Sequence, residues 1–208
     1  QNAYNPRHVP ANALMKRVTA TLVTDGSSDK LLVPLIELLF SEHTDRAYQV
    51  NCANGLPPVA IGLRARIDAA LTLFPCDILF VHRDAERENP SVRQREIESS
   101  WPDSPPKAVL ICVIPVRMTE AWLIANELPI RSAVGNPNGV EQLGLPAVKD
   151  IETLPDPKEL LFSALKAASG LNASRKRRLN PHTYRHRVSE LTNDLAPLRQ
   201  LPSFKHLE

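Results

Sequence analysis

Four short runs of β-branched and apolar residues, each closed by a polar or acidic turn and each followed by a helix-like stretch, constrain this chain more than any other feature. The first run is Lys16 to Thr24, where Val18, Leu22 and Val23 stand among Thr19, Thr21 and Thr24; the others are Ala47 to Cys52, Asp77 to Val81 and Lys107 to Ile114. Val, Ile and Thr suit a pleated, half-buried surface, and runs of this length bounded by turn residues read as strands. Ser28 reads as the N-cap of a helix through Leu31, Leu32, Leu35, Ile36, Leu38 and Leu39, with Pro34 marking a kink or the true first turn. After Pro57-Pro58 the spacing Ile61, Leu63, Ile67, Ala70, Leu71, Leu73 predicts an amphipathic helix. Asn89-Pro90 supplies a cap and first residue for a charged helix to about Ser100, and Thr119 to Asn126 reads as a short helix. Strand and helix alternating at such lengths predict an α/β fold with an open, mainly parallel four-stranded sheet flanked by helices. Lys107 to Ile114 is apolar almost throughout, which predicts a strand buried on both faces.

The chain has 208 residues, close to one domain by length, and 19 prolines against 7 glycines suggest stiff connections. Residues 15–130 read as the α/β domain and residues 1–14 as an N-terminal extension, flexible or added ahead of Met15. Residues 131–208 read as a mainly helical C-terminal extension packed on the same domain, with one helix opened by Asp156-Pro157 and continued by Leu160, Leu161, Ala164, Leu165 and Ala168. No apolar stretch approaches the ~20 residues of a membrane span. No basic-then-apolar leader is visible, so a cytoplasmic location is the expectation. Cys52, Cys76 and Cys112 are odd in number and far apart, and read as reduced core thiols.

Carboxylates cluster at the predicted strand ends: Asp25 with Asp29, then Asp84 and Glu86, then Glu120. Strand ends of a parallel sheet share one edge, where ligands bind. Gathered anions repel one another, and oxygen-preferring Mg²⁺ or Mn²⁺ is the usual remedy. The spacing alone suits solvated loop acids that cap helices better than a metal site, and Asp29 suits a first helical turn with no further role.

Leu22-Val-Thr-Asp-Gly-Ser-Ser-Asp-Lys30 at a strand-to-helix turn, followed by Asp77-Ile-Leu-Phe-Val-His-Arg-Asp-Ala-Glu86, resembles the Toprim domain of topoisomerases, primases and small nucleases. Pro115-Val-Arg-Met-Thr-Glu-Ala-Trp-Leu-Ile-Ala125 further resembles stand-alone bacterial Toprim-like proteins related to the OLD nucleases, which accompany ATPases in phage defence. The resemblance covers about residues 17 to 126. It implies a nuclease or other phosphodiester chemistry supported by Mg²⁺ or Mn²⁺, with Asp25, Asp84, Glu86 and Glu120 as catalytic metal ligands and Asp29 as a further acid. Lys30 and Arg83 stand where a cation could meet phosphate, or respectively as a helix-surface residue and an ion-pair partner of the neighbouring acids. The chain departs from the family pattern twice: Asp25 replaces the usual glutamate, and Glu86 replaces the last aspartate of the DxD. Those swaps keep a second expectation alive, a catalytically inactive regulatory or scaffold subunit that binds an ATPase partner and nucleic acid.

Net charge is only +2, so nucleic-acid binding must be judged from distribution. Arg175, Lys176, Arg177 and Arg178, followed by Arg185 and Arg187, form an acid-free basic window that suits DNA or RNA backbone, or simply a solvated helix end. Tyr184 lies near but the chain is too small for a topoisomerase gate. His182 and His186 lack a third ligand, Trp101 and Trp122 read as core or interface aromatics, and His82 reads as a strand-end packing residue. No Walker motif is present, so any ATPase is a partner protein; a second copy of the chain is a further candidate partner.

Overall fold

The computed structural model describes residues 17–104 and 107–208, without the side chains of Ser27 and Ser28. The extension expected over residues 1–14, the start of the first predicted strand and any capping by the Ser28 side chain lie outside what is described. The described elements run β1 (Val18–Val23), α1 (Leu32–His43), β2 (Tyr48–Cys52), α2 (Leu63–Leu73), β3 (Ile78–His82), α3 (Pro90–Ser99), β4 (Val109–Val113), α4 (Glu120–Leu123), α5 (Glu127–Ala133), α6 (Pro157–Ala168), α7 (Ala173–Arg178), α8 (Pro181–Glu190) and α9 (Pro202–Leu207). All strand pairs are parallel, in the order β2-β1-β3-β4. The chain therefore forms the expected α/β architecture, a four-stranded parallel sheet between helical layers with a helical C-terminal region.

Side-chain alternation along the two central strands divides the core. Ala20 and Leu22 of β1 and Phe80 of β3 face α1 and the C-terminal helices, whereas Val23 of β1 and Leu79 and Val81 of β3 face α2 and α3. Right-handed crossovers place helices on opposite faces when the strand order reverses, and it reverses here between β1 and β3. The larger core continues through Leu32, Ile36, Trp122, Leu161, Leu165, Val188 and Phe204, so the C-terminal region shares one hydrophobic cluster with β1. Trp122 donates its ring N–H to Ser203 Oγ at 2.9 Å and meets Phe204 edge-on, which fastens α9 to α4. Removing one such fully buried Leu or Ile side chain costs about 2–5 kcal/mol.

The caps follow local chemistry. Asn89 accepts from the Ser91 N–H at 3.0 Å ahead of Pro90, and Asp156 accepts from the Glu159 N–H at 2.9 Å ahead of Pro157. Pro34 falls in the first turn of α1, where its missing N–H is harmless; a 3-10 turn, Ser27–Leu31, precedes it. The predicted helix 119–126 shortens to α4, and a second helix that the sequence reading did not separate, α5, starts just after it with Asn126 as its cap.

Three expectations need correction. The run Lys107 to Ile114 is not buried on both faces: β4 is an edge strand and Val109 is 58% exposed. Edge strands tolerate apolar residues where flanking helices cover part of the strand, and Ile111 packs against the larger core. On α2 the core takes Leu63, Ile67 and Ala70, while Ile61 and Leu73 lie exposed at the ends of the segment. Of the three free, half-buried cysteines, Cys76 and Cys112 pack against the smaller core and Cys52 does not. Burial raises all three thiol pKa values, that of Cys112 to about 11. Among the described residues, no helix is long and apolar enough to cross a membrane.

Candidate functional site

In an open parallel sheet the binding crevice forms outside the carboxyl ends of the strands where the order reverses. That point lies between β1 and β3, and a cleft of about 360 Å³ opens there, lined by Asp25, Asp29, Arg83, Asp84, Glu86 and Arg93 among others. Four of the five predicted acids therefore share one cleft. Each is placed by its own turn. After β1, Thr24 donates its hydroxyl to the Gly26 carbonyl at 2.9 Å and the Gly26 N–H donates to Asp29 Oδ2 at 3.2 Å. The buried Arg66 guanidinium from α2 donates to the Thr24 carbonyl at 2.6 Å and also to the Pro57 carbonyl, which pins the turn from behind.

After β3 the chain runs His82-Arg83-Asp84-Ala85-Glu86. Arg83 Nε lies 3.2 Å from Asp25 Oδ2, and its Nη1 lies 3.1 Å from Glu96 on α3. Arg93 holds the other oxygen of Glu96 at 3.0 Å and donates to the Asp84 carbonyl at 3.3 Å. Two arginines thus meet one glutamate and partly neutralise the acidic edge. Glu86 has φ of 53°, its N–H donates to the Arg117 carbonyl at 3.0 Å, and Arg117 itself has φ of 67°. A left-handed conformation at a non-glycine residue costs about 1–2 kcal/mol, and such outliers concentrate at functional sites. The Glu86 side chain is 73% exposed, with Arg93 3.9 Å away.

His82 is buried at the strand end, as expected, but its ring does more than fill space. Nε2 lies 3.2 Å from Asp84 Oδ1 and 3.1 Å from Thr119 Oγ1, while Nδ1 has no hydrogen-bond partner and sits 3.7 Å from Asp29 Oδ2. The Thr119 hydroxyl also donates to Asp84 at 3.3 Å. His82 therefore lies between two of the cleft carboxylates and is hydrogen-bonded on the Asp84 side alone.

Glu120 stands apart from the other acids. It does not line the cleft; it forms an ion pair at 2.8 Å with Arg185 of α8, the two side chains being 8% and 11% exposed. This pair commits both the expected fourth ligand and one member of the expected basic patch to each other. Lys30 is exposed on the 3-10 turn and lines a neighbouring cavity instead. Arg175, Arg177, Arg178 and Arg187 are exposed, Lys176 is half-buried, and none meets a carboxylate among the described residues. Tyr184 packs against the larger core and the His182 ring lies 4.6 Å from that of Phe162.

Among the described residues, no three His, Cys, Asp or Glu side chains come together as a ready metal group. The donor chemistry of the cleft nonetheless fits Mg²⁺ or Mn²⁺, which take carboxylate oxygens, keep several waters and often bind through one or two protein carboxylates plus a substrate phosphate. Asp84 and Glu86 are open enough to serve, with side chains 30% and 73% exposed. The residues missed by sequence reasoning are Arg66, Arg93, Glu96, Arg117 and the contact of His82 with Asp84 and Thr119. Only the helical spacing of Arg93 and Glu96, three apart on one charged helix, could have pointed to a pair. Comparison of the chain with protein-family models, curated proteins and solved structures gives no match.

Proposed function

We propose that the chain is a Toprim-like, metal-dependent nuclease that cleaves nucleic-acid phosphodiesters, and that it acts in the cytoplasm beside an ATPase partner in antiviral defence, as its resemblance to OLD-related proteins implies. The observation that carries the chemistry is the convergence of Asp25, Asp29, Asp84 and Glu86 on one cleft at the reversal point of the sheet, with Arg83 and Arg93 among them. A bound Mg²⁺ or Mn²⁺ would polarise a phosphodiester and activate water. Asp84 and Glu86 are the residues placed to hold it, and Asp25 can join them when it leaves Arg83. Arg83 and Arg93 carry the positive charge that a phosphate entering the cleft needs. His82 fixes the orientation of Asp84. The exposed cations of α7 and Arg187 favour backbone contact by counterion release, which weakens as salt rises.

A second reading is favoured by a specific observation: Glu120 is buried against Arg185 and no three-donor group is assembled. That arrangement suits a catalytically inactive subunit whose acidic edge binds a partner. The two readings separate in one assay, incubation of wild type and Asp84→Asn with supercoiled DNA and with structured RNA in Mn²⁺. Asp84→Asn keeps hydrogen-bonding capacity toward His82 and Thr119 while removing the charge. A nuclease loses cleavage in the variant with its unfolding midpoint preserved; a scaffold cleaves neither substrate in either form yet binds them in a salt-dependent manner.

A further inference from the structure

Beside the acidic cleft lies a second cavity of about 240 Å³ with the opposite electrostatic character. Thr24, Asp25 and Gly26 form one wall, Lys30 and Arg66 bring positive charge, and the loop after β2, Cys52 to Leu56, closes the other side. The single acid on this wall, Asp25, directs a carboxylate oxygen at Arg83. Arg66 is only 7% exposed; among the described residues its guanidinium meets two carbonyls and no carboxylate, and its buried Nε has no hydrogen-bond partner. Lys30 has no ion-pair partner among the described residues.

A buried guanidinium without a counter-ion is costly, and carbonyl dipoles offset only part of that charge. The loop adds to the imbalance. Gly55 has φ of 64°, and the N–H groups of Asn54, Gly55 and Leu56 find no backbone acceptor in the described chain. Successive free N–H groups around a left-handed residue form a concavity that favours anions. A buried cation, an exposed cation and loop N–H groups without a backbone acceptor thus border one opening, and that opening shares Asp25 and Gly26 with the cleft.

We propose that this cavity is a phosphate-binding site, and that it seats a backbone phosphate of the nucleic-acid strand next to the one held in the acidic cleft. The strand as the source of the phosphate rests on the proposed nuclease reading; the affinity for phosphate does not. The site would fix the position of the strand and separate the reacting phosphodiester, which needs metal, from its neighbour, which Lys30 and the loop neutralise directly.

Cys52 reports on the cavity because it lines it, while Cys76 and Cys112 lie elsewhere and serve as internal controls. Burial raises the Cys52 thiol pKa and Lys30 opposes that rise, so each protein is compared with itself, with and without ligand. The experiment is peptide-resolved alkylation of the full chain by N-ethylmaleimide in a chelator, with added inorganic phosphate, a short single-stranded oligonucleotide or chloride. Phosphate and oligonucleotide are expected to slow Cys52 at least threefold, to leave Cys76 and Cys112 unchanged, and to lose that effect in Lys30→Gln, which spares the fold better than any change at Arg66. An unchanged Cys52 rate with both ligands, or equal protection in Lys30→Gln, overturns the site. Protection by inorganic phosphate without protection by the oligonucleotide overturns the strand as its source. Because no metal is present and Asp84→Asn should be protected like wild type, loss of the nuclease reading and loss of this site are read separately.

Discussion

Glu120 and Asp84 belong to one edge of the sheet, since the Asp84 carboxylate meets the hydroxyl of Thr119, the residue before Glu120, yet their surroundings differ. Glu120 is 8% exposed and faces Arg185 at 2.8 Å across 65 residues of chain. Asp84 and Glu86 keep solvent access, and Glu86 is held out in a left-handed conformation. Position at a strand end therefore does not decide what a carboxylate does. Burial with a matched cation makes Glu120 a fastener of α8 to α4, whereas exposure beside shared arginines leaves the cleft acids available to a ligand. The same contrast separates the two neighbouring cavities, one acidic and one carrying an unmatched arginine.

The largest test of this contrast is on Arg185. Replacing it with Met strands the Glu120 charge in the interior, and the expected loss is about 3–5 kcal/mol in urea unfolding. The double variant Glu120→Leu, Arg185→Met should recover most of that loss. A cost below about 1 kcal/mol would mean the pair behaves like a surface contact, and the distinction between the two acidic regions would fail.

Glu86→Gly sharpens the other side. Glycine accepts positive φ freely but loses more chain entropy on folding, so the net gain should be about 0.5–1 kcal/mol, with metal affinity reduced. Destabilisation instead would show that the Glu86 carboxylate is structural. The smallest effect is expected at an exposed cluster, where Arg199 holds the Glu208 carboxyl at about 2, below its ordinary 4.5. A depressed carboxyl stabilises the fold above its unfolded pKa and loses that contribution as pH falls. Glu208→Gln should therefore be slightly less stable than wild type at neutral pH, by less than Arg185→Met, and the difference should close between about pH 4.5 and pH 2.

Much of the fold was legible because its signals are local. The four strands carry β-branched runs with clear ends, and Asn89-Pro90 and Asp156-Pro157 announce helix starts by chemistry that acts within three residues. Strand position was not legible: Val109 to Val113 is as apolar as a central strand, and only the pairing of β3 with β4 and nothing beyond shows it to be an edge. At the site, Asp25, Asp29, Asp84 and Glu86 could be grouped from the sequence because a parallel topology brings strand ends together. The engagement of Glu120 by Arg185, and of Thr24 by Arg66 across 42 residues, depends on helix packing that no local spacing encodes. His82 was legible as buried but not as a partner of Asp84, since that contact needs Thr119, from beyond β4, beside the same ring nitrogen.

In the proposed function the exposed acids of the cleft, and not Glu120, hold a divalent cation. This is tested most directly by calorimetric titration of Mn²⁺ into wild type and into the Asp84→Asn, Glu86→Gln double variant, which requires neither substrate nor partner. Saturable binding is expected in wild type and its disappearance in the double variant, with both proteins folded. Absence of binding to wild type up to millimolar Mn²⁺, or undiminished binding in the double variant, would contradict it.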